Sequence, residues 1–196
     1  MSESKRGRPR DTAVDVRVLD IAAAQLLERG YAGLSIDAVA EAAGVAKTTL
    51  YRRWPSKDHL AVAVTARMQE ADPVADTGDI RLDLVNYLTH VVAAINRSLS
   101  LGLVAELAAA AARHDDIGEL IHGVFTRRNA IVLALIDRAK ERGALRADVD
   151  PVVLFDQLAG ALYYRVLFTG MPIDPAYAER LVTAALDGAV PIGETS

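Results

Sequence analysis

IDAVAEAAGVAKTTLYRRW, the stretch Ile36–Trp54, decides how the rest of the chain is read. Ser35 offers an N-cap, and the apolar spacing predicts a short helix over Ile36–Ala43 with Val39, Ala40 and Ala43 turned inward. Gly44 breaks that helix. A second runs from about Ala46 to Trp54, where Pro55 ends it. Two short helices around a glycine turn have the form of a helix-turn-helix, whose second helix enters the DNA major groove. Ala46, Leu50 and Trp54 recur at i, i+4 and i+8 and are expected to pack inward. Lys47, Thr48, Tyr51 and Arg52 then project from the opposite side. These side-chain types suit DNA: Lys and Arg meet phosphate or guanine, Thr offers a hydroxyl and a methyl, and Tyr donates its hydroxyl to phosphate. The segment from Lys47 to Lys57 contains no acid. Lys57 opens the next helix, where free backbone N–H groups add to its attraction for phosphate.

Charge is distributed to match. The 196 residues carry a formal net charge of −4. Residues 1–70 hold 11 Lys and Arg against 9 Asp and Glu, and residues 71–196 hold 11 against 17. Lys5, Arg6, Arg8 and Arg10 face only Glu3 in the first ten residues. Such a basic arm can lie along a DNA backbone or in a minor groove, which adds Arg6, Arg8 and Arg10 to the candidate contacts.

Around this segment nearly everything reads as helix, and no period-2 alternation or hairpin turn marks a strand. Thr12, with Asp15 three residues on, resembles a capping box for a first helix whose Val18, Leu19, Ile21, Ala22 and Leu26 share a face. That helix stops near Gly30. Ser56 caps a fourth helix to about Glu70, and the Pro/Gly/Asp cluster over 72–79 reads as a loop and a domain boundary. Asp79 opens a helix to about Ser98, and an Ala-rich helix follows Gly102 to near Arg113. Asp116 with Glu119 caps a long helix ending at Gly143. Asp150-Pro151 and Asp174-Pro175 each pair an N-cap with proline at the first helical position. The expectation is an all-α chain of about nine helices. Its divisions are a flexible basic arm at 1–10, a helix-turn-helix unit at 11–55, a connecting helix at 56–71 and a larger helical domain at 79–190.

Other classes are set aside on composition. There is no cysteine, hence no disulfide framework, thiol chemistry or Cys-based zinc site. No run approaches 18 consecutive apolar residues and no secretory signal is visible, so neither a membrane span nor export is expected and the chain is placed in the cytoplasm. His114 and His122 stand near Asp115, Asp116 and Glu119, but no His-Glu-x-x-His pattern occurs, while His59 and His90 are lone helical residues. With no phosphate loop or nucleophile elbow either, no catalytic residue, metal or cofactor is expected.

The segment resembles the tetracycline-repressor-like (TetR) family of transcriptional regulators. The resemblance runs through Val18-Leu19-Asp20-Ile21-Ala22-Ala23, Glu28-Arg29-Gly30-Tyr31, Leu34-Ser35-Ile36 and Val39-Ala40. It continues through Ala43-Gly44-Val45-Ala46-Lys47-Thr48-Thr49-Leu50-Tyr51 and Lys57-Asp58-His59-Leu60. It implies a homodimeric repressor with an N-terminal three-helix DNA-binding unit and a C-terminal helical domain that binds a small molecule and dimerises. Carried over by position, Lys47, Thr48, Thr49, Tyr51 and Arg53 occupy DNA-contacting places and Lys57 a phosphate-contacting one. With Ser35 and Arg52 they complete the candidate set. Two departures stand out: Lys47 replaces the usual small residue after the turn, and Arg52-Arg53-Trp54 replaces the common His-Phe. Leu162-Tyr163-Tyr164-Arg165-Val166 through Pro172-Ile173-Asp174-Pro175 resembles the C-terminal domain of one subgroup.

The resemblance further implies a four-helix dimer interface from Pro151–Phe168 and Pro175–Gly188, through Leu154, Leu158, Leu162, Leu181, Val182 and Ala185; alternatively these helices simply close the core of one subunit. A mostly apolar effector pocket would draw on Tyr87, Val91, Ile95, Leu107, Phe125, Asn129, Tyr163 and Phe168, all of which ordinary core packing would equally explain. The partners expected are thus double-stranded DNA, a small and apolar effector and a second copy of the chain, with no membrane. The alternative is a helical ligand-binding or dimeric interaction protein whose helix-turn-helix is only structural.

Overall fold

The computed structural model describes residues 9–70, 74–100 and 102–188. Among the described residues there are nine α-helices and no strand. They are α1 (Pro9–Gly33), α2 (Ile36–Ala43), α3 (Lys47–Arg53), α4 (Lys57–Glu70), α5 (Ile80–Ser100), α6 (Leu103–Arg113), α7 (Asp115–Glu141), α8 (Pro151–Tyr164) and α9 (Pro175–Asp187). A π-helical turn, Arg165–Thr169, continues α8.

The punctuation residues act largely as their chemistry requires. Ser35 caps α2 by accepting from the Ala38 N–H at 3.4 Å. Asp79 caps α5 by accepting from Arg81 and Leu82. Asp150 and Asp174 cap α8 and α9, each ahead of a proline. Three expectations are corrected. Thr12 lies inside α1, which begins at Pro9, so it is not that helix's cap. Asp116 is likewise inside α7, whose first residue is Asp115. Ala46 is the exposed N-cap of α3 and does not pack inward. Gly30 interrupts α1 at φ 66°, ψ −178°, a conformation open essentially to glycine alone, and the chain runs on to Gly33.

The described residues form two compact units, one from positions up to 69 together with 100–121 and the other from 70–99 together with 122 onward. In the first, Val18, Ala22 and Leu26 of α1 meet Val39, Ala40 and Ala43 of α2, Leu50 of α3 and Leu60, Ala61 and Val64 of α4. Leu103 of α6 is buried in the same cluster and Leu107 packs against it. Residues 100–121, expected within a continuous C-terminal domain, therefore join the helix-turn-helix unit, because the apolar face of α6 is spent on α1.

The core of the second unit follows a regular spacing. Ile80, Leu84, Leu88, Val92 and Ile95 of α5 pack with Val132, Leu135, Ile136 and Ala139 of α7. Leu154, Phe155, Leu158 and Leu162 of α8 and Ala178, Val182 and Leu186 of α9 complete it. Asp83 is fully buried there, and its carboxylate accepts from the Thr77 N–H at 3.0 Å and the Thr77 hydroxyl at 2.8 Å. A buried carboxylate stays because it is satisfied; here it fastens the loop before α5.

This core uses up most of the residues expected at a dimer interface. Leu154, Leu158, Leu162 and Val182 are buried inside one subunit, and Leu181 and Ala185 pack against them. The side of α8 left outward carries Val152, Val153, Gly160 and Tyr164, followed by Leu167 and Phe168 in the π turn. Pro151–Thr169 is consequently long and apolar enough to cross a membrane, with a mean hydropathy of 1.2, although Asp156, Gln157 and Arg165 interrupt the apolar run. It is apolar on two sides, one of them core.

Candidate nucleic-acid interface

The candidate interface is built on α3. Its position is fixed by Leu50, buried among α1, α2 and α4, with Trp54 partly buried beside it. The turn before it depends on Gly44, which takes φ 63°, ψ 36° and sends its N–H back to the α2 carbonyls of Ala40 and Glu41. With Leu50 inward, Lys47, Thr48, Tyr51 and Arg52 are exposed and Thr49 is half-buried. The exposed side of α3 thus presents two cations and two hydroxyls to solvent.

The candidate residues divide by what already holds them. Lys47 Nζ donates to Asp37 Oδ2 at 2.7 Å, and the Tyr51 hydroxyl donates to Asp37 Oδ1 at 3.2 Å. Asp37 sits in the first turn of α2 and was not among the sequence candidates. Its carboxyl is held below its ordinary range, chiefly by the hydrogen bond from Lys47, and the Lys47 ammonium is raised by the same bond. The Tyr51 hydroxyl is raised by desolvation and then by its bond to Asp37. Lys57 Nζ donates to the Ala32 carbonyl at 3.1 Å and lies 4.2 Å from the centre of the Tyr31 ring. The Tyr31 hydroxyl in turn donates to Asp58, and burial together with that bond pushes it well above its usual range.

Arg53 stands apart. It is ion-paired with Asp15 of α1, and its side chain is only 20% exposed. Its first task is to join α3 to α1, whereas Arg52 points into solvent. Ser35 is exposed but occupied as the α2 cap. Arg6 and Arg8 lie outside the described residues, as does the Arg10 side chain. His59 bridges Ser56, whose Oγ lies 2.9 Å from its Nδ1, and Asp116, 3.2 Å from its Nε2, so it serves packing between α4 and the start of α7.

The residues expected at an effector pocket are only partly brought together. Tyr87 and Ile95 are buried in the second core, and Val91 and Tyr163 pack against it. Phe125 meets Tyr163 edge-on with ring centres 6.3 Å apart, and Tyr87 meets Phe155 at 6.1 Å. The Arg128 guanidinium lies 5.2 Å from the centre of the Tyr87 ring. Burial pushes the Tyr163 hydroxyl up to about 12. Two candidates are elsewhere: Leu107 belongs to the first unit's core, and Phe168 is 79% exposed, stacked on Tyr164.

Two short helices around a glycine turn, one seated by a core leucine and lined outward with Lys, Thr, Tyr and Arg, define the DNA-reading module of a helix-turn-helix regulator. Comparison with known proteins gives the family. Residues 18–64 match the model described as bacterial regulatory proteins, tetR family, and residues 74–185 match the tetracyclin repressor-like C-terminal domain. The chain is 31% identical to the HTH-type transcriptional regulator YdeS of Bacillus subtilis (strain 168), over 95% of this chain and 94% of that one. It is 30% identical to the DNA-binding transcriptional repressor TetR of Mycobacteroides abscessus, over 92% and 94% of the two chains. Among solved structures, the TetR family transcription regulator SCO0332 superimposes with a TM-score of 0.77 at 35% identity, covering 91% of this chain and 99% of that one. The chain belongs to the TetR family and is a DNA-binding transcriptional regulator.

Proposed function

We propose that this regulator is a repressor that binds a near-palindromic operator as a homodimer and is released by a small apolar effector. One observation carries the reading: α3 has its apolar residue in the core and Lys47, Thr48, Tyr51 and Arg52 on the exposed side. Base reading from a major groove needs such a helix, with phosphate contacts from Lys57 and the N-terminal arm fixing register. Work on the chromosome places the protein in the bacterial cytoplasm.

Dimerisation is supported by the outward side of α8. Val152, Val153, Tyr164, Leu167 and Phe168 are all exposed along this side, and a contiguous apolar surface of that kind marks an interaction site. Gly160, with open space where a Cβ would stand, and the exposed Ala176 and Ala184 of α9 would let helices of a second copy approach closely. The interface proposed is this outer side, in place of the core leucines. The effector reading is supported by the aromatic group Tyr87, Phe125, Phe155 and Tyr163, with Val91 packed on the same core and Arg128 as a polar neighbour. Release requires the effector to bind the DNA-free state more tightly than the DNA-bound one.

The test is to incubate the protein with fragmented genomic DNA from its source at modest salt and sequence what is retained. Enrichment of a shared near-palindrome is expected, and the genes beside it point to the effector among their substrates or products. No retention even at low salt would overturn the reading and favour a ligand-binding protein with a purely structural helix-turn-helix.

A further inference from the structure

Asp37 is the one acid bonded to the exposed side of α3 among the contacts described. Asp37 reaches from α2 to two residues one turn apart on α3, taking Lys47 on one carboxylate oxygen and Tyr51 on the other. The contact is at the surface, with the Asp37 side chain 47% and the Lys47 side chain 59% exposed. Such a contact adds little to folding, and α2 and α3 are already joined by Val39, Ala40, Ala43 and Leu50. What it does change is the face that a duplex meets. An ionised carboxylate stands on the face assigned to DNA, where it occupies one cation and one hydroxyl, Lys47 and Tyr51, that could otherwise meet phosphate.

We propose that Asp37 is a specificity-determining residue of the DNA face: it holds Lys47 and Tyr51 in one arrangement and repels any duplex that does not fit that arrangement. This rests on reading α3 as the DNA-contacting helix. Specificity is a difference in affinity between one duplex and another. A lysine stem is flexible and its ammonium serves any phosphate within reach, so a free Lys47 raises affinity for all sequences alike. Held by Asp37, it is aimed, and a mismatched duplex must break the contact or tolerate a carboxylate near its backbone. A matching site loses neither. Glu41, one turn further along α2, adds to the field that keeps Lys47 charged.

The experiment compares the full-length protein with Asp37→Asn, which keeps the shape and removes the charge. Fluorescence anisotropy is read over a series of salt concentrations on a scrambled duplex and on the site enriched from genomic DNA. Asp37→Asn should bind the scrambled duplex about five-fold more tightly, the scale of one exposed ion pair. Its log–log salt slope should steepen by about one for each recognition helix engaged. The enriched site should gain less, so the ratio between the two falls. In a Lys47→Met background the gain from Asp37→Asn should shrink, since the side chain it releases is gone. Unfolding midpoints confirm that each variant is folded, and Asp37→Ser serves if the amide does not fold. Arg52→Ala separates the two readings. If it weakens binding while Asp37→Asn changes neither affinity nor slope, or weakens both duplexes equally, the role proposed for Asp37 is overturned and the DNA-contacting helix stands. If Arg52→Ala, Lys57→Ala and Asp37→Asn all leave binding unchanged, both readings fall together.

Discussion

Arg52 and Arg53 are adjacent in sequence and have opposite surroundings. Arg52 is exposed, while Arg53 is largely covered and paired with Asp15. Arg52→Ala should therefore weaken DNA binding with an unchanged melting temperature. Arg53→Ala should cost about 1–2 kcal/mol of stability by leaving Asp15 without its cation, with partial exposure of the pair limiting the loss. Thermal unfolding beside a binding titration separates them; equal melting temperatures for the two variants would contradict the assignment. Helical spacing puts Arg52 and not Arg53 on the projecting side, whereas the family's motif puts Arg53 at a DNA-contacting place; neither shows Asp15, which lies 38 positions earlier on another helix. Asp37 was missed for the same reason: that it faces Lys47 and Tyr51 is a property of how α2 crosses α3. Burial of Tyr163 alters its titration as well. An unfolded tyrosine ionises near 10, and the folded Tyr163 hydroxyl only near about 12. The folded state thus holds that proton longer, and its stabilising effect is complete below about pH 10 and lost between about 10 and 12. Absorbance titration should show a late phenolate step that Tyr163→Phe removes.

At the scale of elements, the helices were legible because their ends carry chemistry that acts locally. Ser35, Asp79, Asp150 and Asp174 all cap where their positions before apolar spacing required. Thr12 failed as a cap because the sequence before it also enters α1, and a capping box cannot be told from a helix interior by its spacing alone. Gly30, read as the end of the first helix, is where its helical backbone breaks. Its φ of 66° with ψ of −178° excludes a Cβ without strain. Gly30→Ala should lower stability by about 1–3 kcal/mol, seen as an earlier midpoint in urea with an unchanged slope. A midpoint like that of the unaltered protein would mean α1 straightens without penalty. The grouping of α6 with the first unit was not legible, since its Ala-rich sequence fits many neighbours; Leu103 and Leu107 are the residues that join it to the first core.

For the whole molecule, what the sequence could not separate was inside from between. An apolar spacing on α8 says that a residue is covered without saying by which chain. The structure covers Leu154, Leu158 and Leu162 within the subunit and leaves Val153, Tyr164 and Phe168 outward. Val153→Glu with Tyr164→Glu should convert a dimer to the 21.0 kDa single chain in sedimentation equilibrium, with the helical signal retained. Leu158→Ala should instead destabilise the fold by about 2–5 kcal/mol through a cavity. A monomeric unaltered protein would contradict the dimer reading. The family, by contrast, was legible in its DNA-binding segment, where shared residues follow from a shared task.

A helix α3 that reads bases from the major groove, one copy per half-site, must cover guanine edges there. Methylation protection on an enriched operator tests this most directly, because guanine N7 lies in that groove. The expected pattern is two symmetric clusters of protected guanines about one helical turn or more apart, both lost in Arg52→Ala. Bound protein that leaves every guanine N7 reactive would contradict it.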